Sequence, residues 1–591
     1  MSDYRAPIKD ILFALEQAAD LPSIARLPGL EHASPDMVEG VITEAARFLE
    51  DVVVPVNRSG DEHGSRVEGD TVITAPGFKE AYAKYVEAGW GALPFPAEHG
   101  GGDFPAVVGL AVQEILTAAS MAFSLGPLLT QGAIDAILEH GSDEQQATFL
   151  PKMISGEWSG TMNLTEPHAG SDLGHISTKA VPQDDGTYRI SGQKIFITYG
   201  EHDLTDNIIH LVLAKTPDAP AGTKGISMFI VPKYLVNPDG SLGDRNDVRV
   251  VSVEHKVGIH GSPTCVMSFG ESDGAVGYLV GEEFRGMKYM FTMMNAARLS
   301  VGLEGLAISD RAYQQAVAYA HERKQGAEIG GTKGEMVPIV RHPDVRRMLI
   351  TQRAFIQAMR FLMYDNAAQM DIARRTDDEA AAEAAGARAE LLTPLSKAWG
   401  TDLGVELTSL ALQVHGGMGY VEETGIAQHW RDSRIAPIYE GTNGIQAMDL
   451  VGRKLPMNGG ETVREHIAWV AESGSLAAEA GFDTMKARLE EAVSRLTEAT
   501  MWIAGSAGDV KSVLAGATPY LRLFAQITGG AYMARAAVAA KAKLEAGEGD
   551  ADHLAEMVAL AEFYVDQLMP QVFGLVPAVT AGIEPLEAVR L

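Results

Sequence analysis

The chain has 591 residues, 46% of them hydrophobic and 21% charged, with a mean hydropathy near zero, which excludes a single compact core and describes a globular chain of several domains. Its formal charge of −30, from 48 basic and 78 acidic side chains, opposes nucleic acid and anionic membrane surfaces but still allows a local basic pocket for an anionic ligand. The one cysteine, Cys265, excludes an internal disulfide and a cysteine metal cluster, and neither a bilayer-length apolar run nor a signal-peptide core is evident, so a cytoplasmic protein is expected.

Up to about residue 157 the chain reads as helices. Ser34-Pro35 is a cap with proline in the first turn, and Val41, Ala45, Phe48 and Val52 recur at helical spacing. Ala- and Leu-rich segments between 104 and 139 fit helices broken at Pro127 and Gly132. Ser142-Asp143 starts a further helix that ends near Gly156. From about 158 to 282 the texture changes to short β-rich runs at 187–198, 207–214, 225–232 and 264–269, separated by turns such as Asp184-Asp185-Gly186 and Pro238-Asp239-Gly240, which predicts a small barrel or sandwich. Long helical patterns return from about 283 to 455. The join Leu455-Pro456-Met457-Asn458-Gly459-Gly460 then leads to a last helical block, clearest at 483–504 and 520–546. The expected fold is therefore α+β and mostly α: an N-terminal helical domain over 1–157, a central β-barrel or sandwich over 158–282, a helical bundle over 283–455 and an additional C-terminal helical domain over 461–591.

Four stretches carry candidate chemistry. Thr165-Glu166-Pro167-His168-Ala169-Gly170-Ser171-Asp172 offers backbone N–H groups and hydroxyls to a polar ligand, or is a capped turn. Gly192-Gln193-Lys194-Ile195-Phe196-Ile197-Thr198 places an aromatic and a hydroxyl on one face of a strand, an arrangement that suits a flavin or an ordinary half-buried strand. Gln413-Val414-His415-Gly416-Gly417-Met418-Gly419 allows close backbone approach or a left-handed helix cap; no second histidine sits at ligand spacing beside His415, so no metal is expected. In Pro437-Ile438-Tyr439-Glu440-Gly441-Thr442 a carboxylate stands in an apolar loop before a helix. Desolvation would make it a general base, whereas the helix dipole alone would also favour it. Spacing does not separate these two readings.

Taken together and in this order, with His321-Glu322-Arg323-Lys324 and His255-Lys256-Val257-Gly258 between them, the stretches closely resemble the acyl-CoA dehydrogenase family over about residues 35–455. The resemblance implies FAD, contacted by Met162, Leu164, Thr165 and Ser171, by Phe196 and Thr198, and by Thr442. It further implies that Arg323, Gln413, Gly416 and Gly417 reach the FAD of a neighbouring subunit, and hence a homodimer or homotetramer. Ser171, Arg298, Tyr439 and Gly441 are expected on the substrate side. Glu440 is the implied base, taking the α-proton of an acyl-CoA as hydride leaves the β-carbon and a trans-2-enoyl-CoA forms. Some relatives place the base beside Arg298, where this chain has Ala296 and Ala297. Gln325-Gly326-Ala327 stands where the family often has an aromatic run, and Met162 replaces another aromatic.

The extra terminal domain resembles a large bacterial branch that includes 3-methylmercaptopropionyl-CoA dehydrogenases, so that thioester or another short to medium acyl-CoA is the expected substrate and an electron-transfer flavoprotein the expected acceptor. A flavin acyl-CoA oxidase is the nearest alternative. A DNA-binding, dehydrogenase-like scaffold is a second, but residues 461–591 hold 10 Lys and Arg against 18 Asp and Glu, the wrong sign for binding phosphate. A catalytically inactive acyl-CoA-binding scaffold is a third, disfavoured by the filled base position.

Overall fold

A computed structural model describes residues 4–331 and 334–591, with the backbone alone at Asn295. The chain divides into two units: Ala45–Phe104 with Ile115–Ala297, and residues 4–44 with Pro105–Glu114 and Arg298–Leu591.

The first unit is built on an eight-stranded sheet. In chain order its strands are β1 Trp158–Asn163, β2 Lys179–Pro182, β3 Tyr188–Thr198, β4 Asn207–Lys215, β5 Ile226–Pro232, β6 Val248–Val253, β7 Thr264–Phe269 and β8 Ala275–Leu279. The spatial order is β6-β7-β3-β8-β5-β4-β1, with β2 pairing both β3 and β4. The path β3-β8-β5-β4-β2 therefore returns to β3, closing a small barrel, one of the two forms the spacing of the runs predicted. β4 and β5 are buried along nearly their whole length, which is why their sequences are continuously apolar rather than alternating. Ile190, Ile197, Val212, Phe229, Cys265 and Met267 form the interior.

The helix Asp143–Ser155 has the predicted bounds. Ser142 and Gln145 form a reciprocal capping box, and Gly156 closes the helix at φ +86°. The helix Met121–His140 corrects the sequence reading, because it runs through both Pro127 and Gly132. Its start is set instead at Ser120, whose side chain accepts from Phe123 N. Length and composition would let it cross a bilayer, but 78% of that apolar window is buried inside the protein. Gly160 of β1 lets it approach closely: the Gly160 N–H donates to Thr130 Oγ1 at 3.0 Å, and a Cβ at Gly160 would lie 2.5 Å from that of Ala133. The stripe predicted on Pro35–Val52 is also rotated. Val38, Ile42, Ala45 and Leu49 are fully buried, whereas Val41, Phe48 and Val52 are only half-buried.

The second unit is helical. The Arg298 end of the helix Gly286–Glu322, the helix Pro343–Arg375 and the helix Glu379–Val414 are its main members. Where 286–322 meets 379–414 the backbones nearly touch. A Cβ at Gly302 would lie 2.4 Å from the Ser396 carbonyl oxygen, and one at Gly305 2.0 Å from that of Gly400. Gly404 faces Gly305 in the same way, at 2.8 Å from its Cα. After a left-handed run at Asn458, Gly459 and Gly460, the last block packs on these helices. Arg522 makes a two-pronged contact with Glu406 at 2.8 and 2.9 Å, and Tyr532 donates to Asp365. Near the other end of the chain, the helix Ile8–Gln17 docks through Asp10, which accepts from Arg353 at 2.6 and 3.1 Å. Beside that contact Arg360 and Tyr364 are both held by buried Glu114.

Candidate functional site

In the second unit the segment after Ala436 presents Tyr439 and Glu440 and then enters the helix Asn443–Asp449. Thr442 caps that helix, its Oγ1 accepting from Ile445 N at 3.3 Å. Glu440 thus precedes the cap and does not serve the helix N-terminus. Its backbone is left-handed, φ +53°, and Gly441 follows at +82°. For a glutamate this costs about 1–2 kcal/mol. At Gly441 a side chain would also collide, since a Cβ would lie 2.8 Å from Gln446 Nε2. That buried amide donates to the Glu440 and Gly441 carbonyls at 3.4 and 3.5 Å, while the Glu440 N–H meets no protein acceptor among the described residues.

Two buried cations flank this turn. Arg298 is 5% exposed and lies 3.9 Å from Asp449. Lys397 is fully buried and donates to Asn443 Oδ1 at 2.8 Å. Burial pushes the half-buried Glu440 carboxyl above the usual range, and Arg298 and Lys397 pull it partly back. Burial moves Lys397 the other way, down to about 8, against the pull of Glu440, Glu304 and Asp402. Glu304, fully buried on the 286–322 helix, accepts the Tyr439 hydroxyl. Its carboxyl is raised to about 8 by burial, offset by Tyr439 and Lys397 and reinforced by Glu440. The net effect of burial and the two cations is a raised Glu440 carboxyl, the direction that makes it a stronger base toward a weak carbon acid.

In the first unit the two flavin-like motifs lie side by side. The Ile195 N–H donates to the Thr165 carbonyl at 2.9 Å, and buried Lys194 donates to the Leu164 carbonyl at 3.0 Å and to Glu166 at 2.9 Å. Glu166 also accepts from the backbone and hydroxyls of Ser177 and Thr178, so the 165–171 loop is pinned from within. Between Ile197 and Lys194 the pairing with β7 shifts register. This bulge leaves Phe196 at φ +59° and 59% exposed, while Thr198 stays half-buried. An aromatic face held out of a strand beside a half-buried hydroxyl fits a large planar cofactor. Met162 is buried within β1, Leu164 and Thr165 are half-buried, and Ser171 is exposed.

The predicted residues thus fall into three groups. Met162, Leu164, Thr165, Ser171, Phe196 and Thr198 belong to the first unit. Arg298, Tyr439, Glu440, Gly441 and Thr442 cluster in the second. Arg323, Gln413, Gly416 and Gly417 are exposed together at the far end of the same helices, where Tyr319 stacks on His415 at 4.4 Å over the Ala316, Ala320, Val414 and Ile426 core. Helical rise separates Arg323 from Arg298 by about 37 Å and Gln413 from Lys397 by about 24 Å. Sequence reasoning missed Glu304 and Lys397. The signal for Glu304 was present: one acid in the apolar run Val301-Gly302-Leu303-Glu304-Gly305-Leu306.

Family models match nearly the whole chain: "Acyl-CoA dehydrogenase, N-terminal domain" over residues 38–157, "middle domain" over 161–272, "C-terminal domain" over 285–455 and "Acetyl-CoA dehydrogenase C-terminal like" over 461–589. A 3-methylmercaptopropionyl-CoA dehydrogenase of Ruegeria pomeroyi is 46% identical, covering 96% of this chain and 96% of that one. A butyryl-CoA dehydrogenase of Syntrophomonas wolfei is 38% identical over 98% and 97%. Among solved structures, an acyl-CoA dehydrogenase complexed with FAD from Bacillus anthracis shares the fold, with a TM-score of 0.71, 22% identity and coverage of 94% and 89%.

Proposed function

The chain belongs to the acyl-CoA dehydrogenase family of FAD-dependent oxidoreductases, and from that premise we propose that Glu440 is the base that removes the α-proton of its acyl-CoA substrate. The observation that carries this reading is a half-buried carboxylate held on a left-handed turn between buried Arg298 and Lys397. As the α-C–H bond breaks, its proton passes to Glu440 and its electrons form the new α,β double bond, while the β-carbon loses hydride. FAD, when bound, supplies the hydride acceptor. The Glu440 N–H, which meets no acceptor among the described residues, would donate to the thioester oxygen as enolate charge develops. Arg298 and Lys397 limit how far desolvation raises the carboxyl.

Met162, Leu164, Thr165, Ser171, Phe196, Thr198 and Thr442 would hold the FAD, with Phe196 against the ring system. Ser171, Arg298, Tyr439 and Gly441 belong to the substrate side. Arg323, Gln413, Gly416 and Gly417 lie too far from Glu440 along the helices to serve the same flavin, which favours their serving that of a second copy in a homodimer or homotetramer. For the acyl group we favour 3-methylmercaptopropionyl-CoA over butyryl-CoA, because the relative named for the former is 46% identical and that named for the latter 38%. An electron-transfer flavoprotein is the proposed acceptor and the cytoplasm the proposed location.

Anaerobic bleaching of the flavin by a panel of acyl-CoAs tests the reading. Glu440→Gln is expected to retain FAD and bind ligand but to bleach at least 1,000-fold more slowly, by order of magnitude for loss of a general base with its transition-state contacts. Bleaching at the wild-type rate would remove Glu440 from the reaction. Vigorous oxygen uptake in turnover would replace the dehydrogenase by an oxidase.

A further inference from the structure

We propose that Glu304 is a positioning residue for the base: by accepting the Tyr439 hydroxyl it holds the turn from which Glu440 reaches the substrate α-carbon. This rests on Glu440 being the base.

Glu304 is fully buried in an apolar helical stretch where a carboxyl is costly. One of its oxygens, Oε2, accepts from Tyr439, while Oε1 has no protein partner among the described residues. A buried carboxyl and a buried phenol are costly to leave unpaired, and Tyr439 is the residue immediately before Glu440. The ends of the turn are held, the Asn443 N–H donating to the Pro437 carbonyl at 3.1 Å and Lys397 donating to Asn443 at 2.8 Å, but the restraints at Tyr439, Glu440 and Gly441 themselves are longer. Gln446 reaches the Glu440 and Gly441 carbonyls only at 3.4 and 3.5 Å, and the Tyr439 N–H reaches Ile435 O at 3.3 Å. Yet the turn is strained at Glu440, φ +53°, so something must hold it. Gly302 and Gly305, on either side of Glu304, press the 379–414 helix backbone against this stretch, which leaves the Glu304 side chain a fixed anchor. The charged groups that act on Glu304 are Lys397 on the facing helix and Glu440 on the turn; Asp402 and Arg298 act in turn on Lys397.

The discriminating feature is geometry rather than charge. A glutamine at 304 keeps an oxygen for the Tyr439 hydroxyl and loses the ionisable group, whereas leucine loses both. The holoenzyme variants Glu304→Gln, Glu304→Leu, Tyr439→Phe, the Glu304→Leu/Tyr439→Phe double variant and Glu440→Gln would be compared per bound FAD. One readout is flavin reduction. The other is loss of α-deuterium to water from a deuterated 3-thiaacyl-CoA, which has sulfur at the β position and no hydride to give. Glu304→Gln is expected within about threefold of wild type in both. Glu304→Leu and Tyr439→Phe are each expected at least tenfold slower, with the double variant no slower than the poorer single, because the two act as one unit. If Glu440→Gln exchanges normally, the base assignment fails and this proposal with it. If Glu440→Gln is inert while Glu304→Leu and Tyr439→Phe exchange like wild type, the positioning proposal alone fails. It also fails if Glu304→Gln is as slow as Glu304→Leu, or if the losses add in the double variant. Should Glu304→Leu not retain FAD, Tyr439→Phe against Glu304→Gln decides: equal rates would overturn the proposal.

Discussion

Substituting Gly305→Ala tests the helix crossing on which the proposed site is built. A Cβ there would lie 2.0 Å from the Gly400 carbonyl oxygen and 2.5 Å from its carbon, against about 3.5 Å for a relaxed non-bonded contact. Both partners are backbone in the middle of helices, so neither can swing away, and the helices must part locally by about 1–1.5 Å. Overpacking of this kind costs about 1–3 kcal/mol, and alanine returns about 1 kcal/mol of helix propensity. The net loss is about 2 kcal/mol at most, a melting shift of a few degrees at about 2–4 °C per kcal/mol. The reaction should suffer more. Arg298 and Glu304 ride on one of these helices and Lys397 on the other, and a displacement of about 1 Å at a reacting centre can cost on the order of 100-fold. Calorimetry and anaerobic flavin reduction on FAD-loaded protein would measure both. Gly40→Ala is the control, since a Cβ at Gly40 meets nothing within 4 Å and the change should be neutral or slightly stabilising. If Gly305→Ala melts and reduces its flavin like that control, the close crossing does not position the site.

Lys397→Met removes a cation that lowers the Glu440 carboxyl. Burial then acts with less opposition, Glu440 holds its proton to higher pH, and the acid limb of the flavin-reduction profile should move upward; an unmoved limb would refute the coupling. Burial would raise Asp10, but Arg353, His553 and Arg360 together hold it well below the usual carboxylate range. Asp10→Ala leaves buried Arg353 short of its partner and should cost about 3–5 kcal/mol at pH 7. Because the folded-state carboxyl is depressed, its contribution is present above the unfolded value and fades as pH falls below about 4. The gap in urea midpoint between wild type and Asp10→Ala should therefore be narrower at pH 3 than at pH 7, and a constant gap would refute the assignment.

Much of the fold was legible because local chemistry sets it. The four β runs and the Ser142–Gly156 helix follow from alternation, burial and caps that need no distant partner. The Asp184-Asp185-Gly186 turn was equally readable: Gly186 is at φ +85° and Asp185 accepts from Thr187. Pro127 misled because its helix is buried on nearly every side, and packing outweighs the cost of one missing N–H. The stripe on Pro35–Val52 was misplaced because an amphipathic pattern defines a face only to within about a residue. In the site, motif order pointed to Glu440, but the partners that tune it lie on other helices. Lys397 is 43 residues from Glu440 in sequence and Glu304 is 136, and only the crossing at Gly302, Gly305, Gly400 and Gly404 brings them to it.

The helix Gly286–Glu322 runs unbroken from the Arg298 cluster almost to Arg323, and such a rod is a gauge as well as a support. One residue inserted between its ends would advance the far end by about 1.5 Å and swing it through about 100°, turning Arg323 away from the direction that Arg298 implies. The Glu379–Val414 helix keeps the same gauge between Lys397 and Gln413. Length changes are therefore affordable only in the connections, such as 323–342 and 415–425, while the rods themselves admit only exchange of one side chain for another. A chimera that grafts this acyl specificity onto another scaffold would have to carry both rods whole.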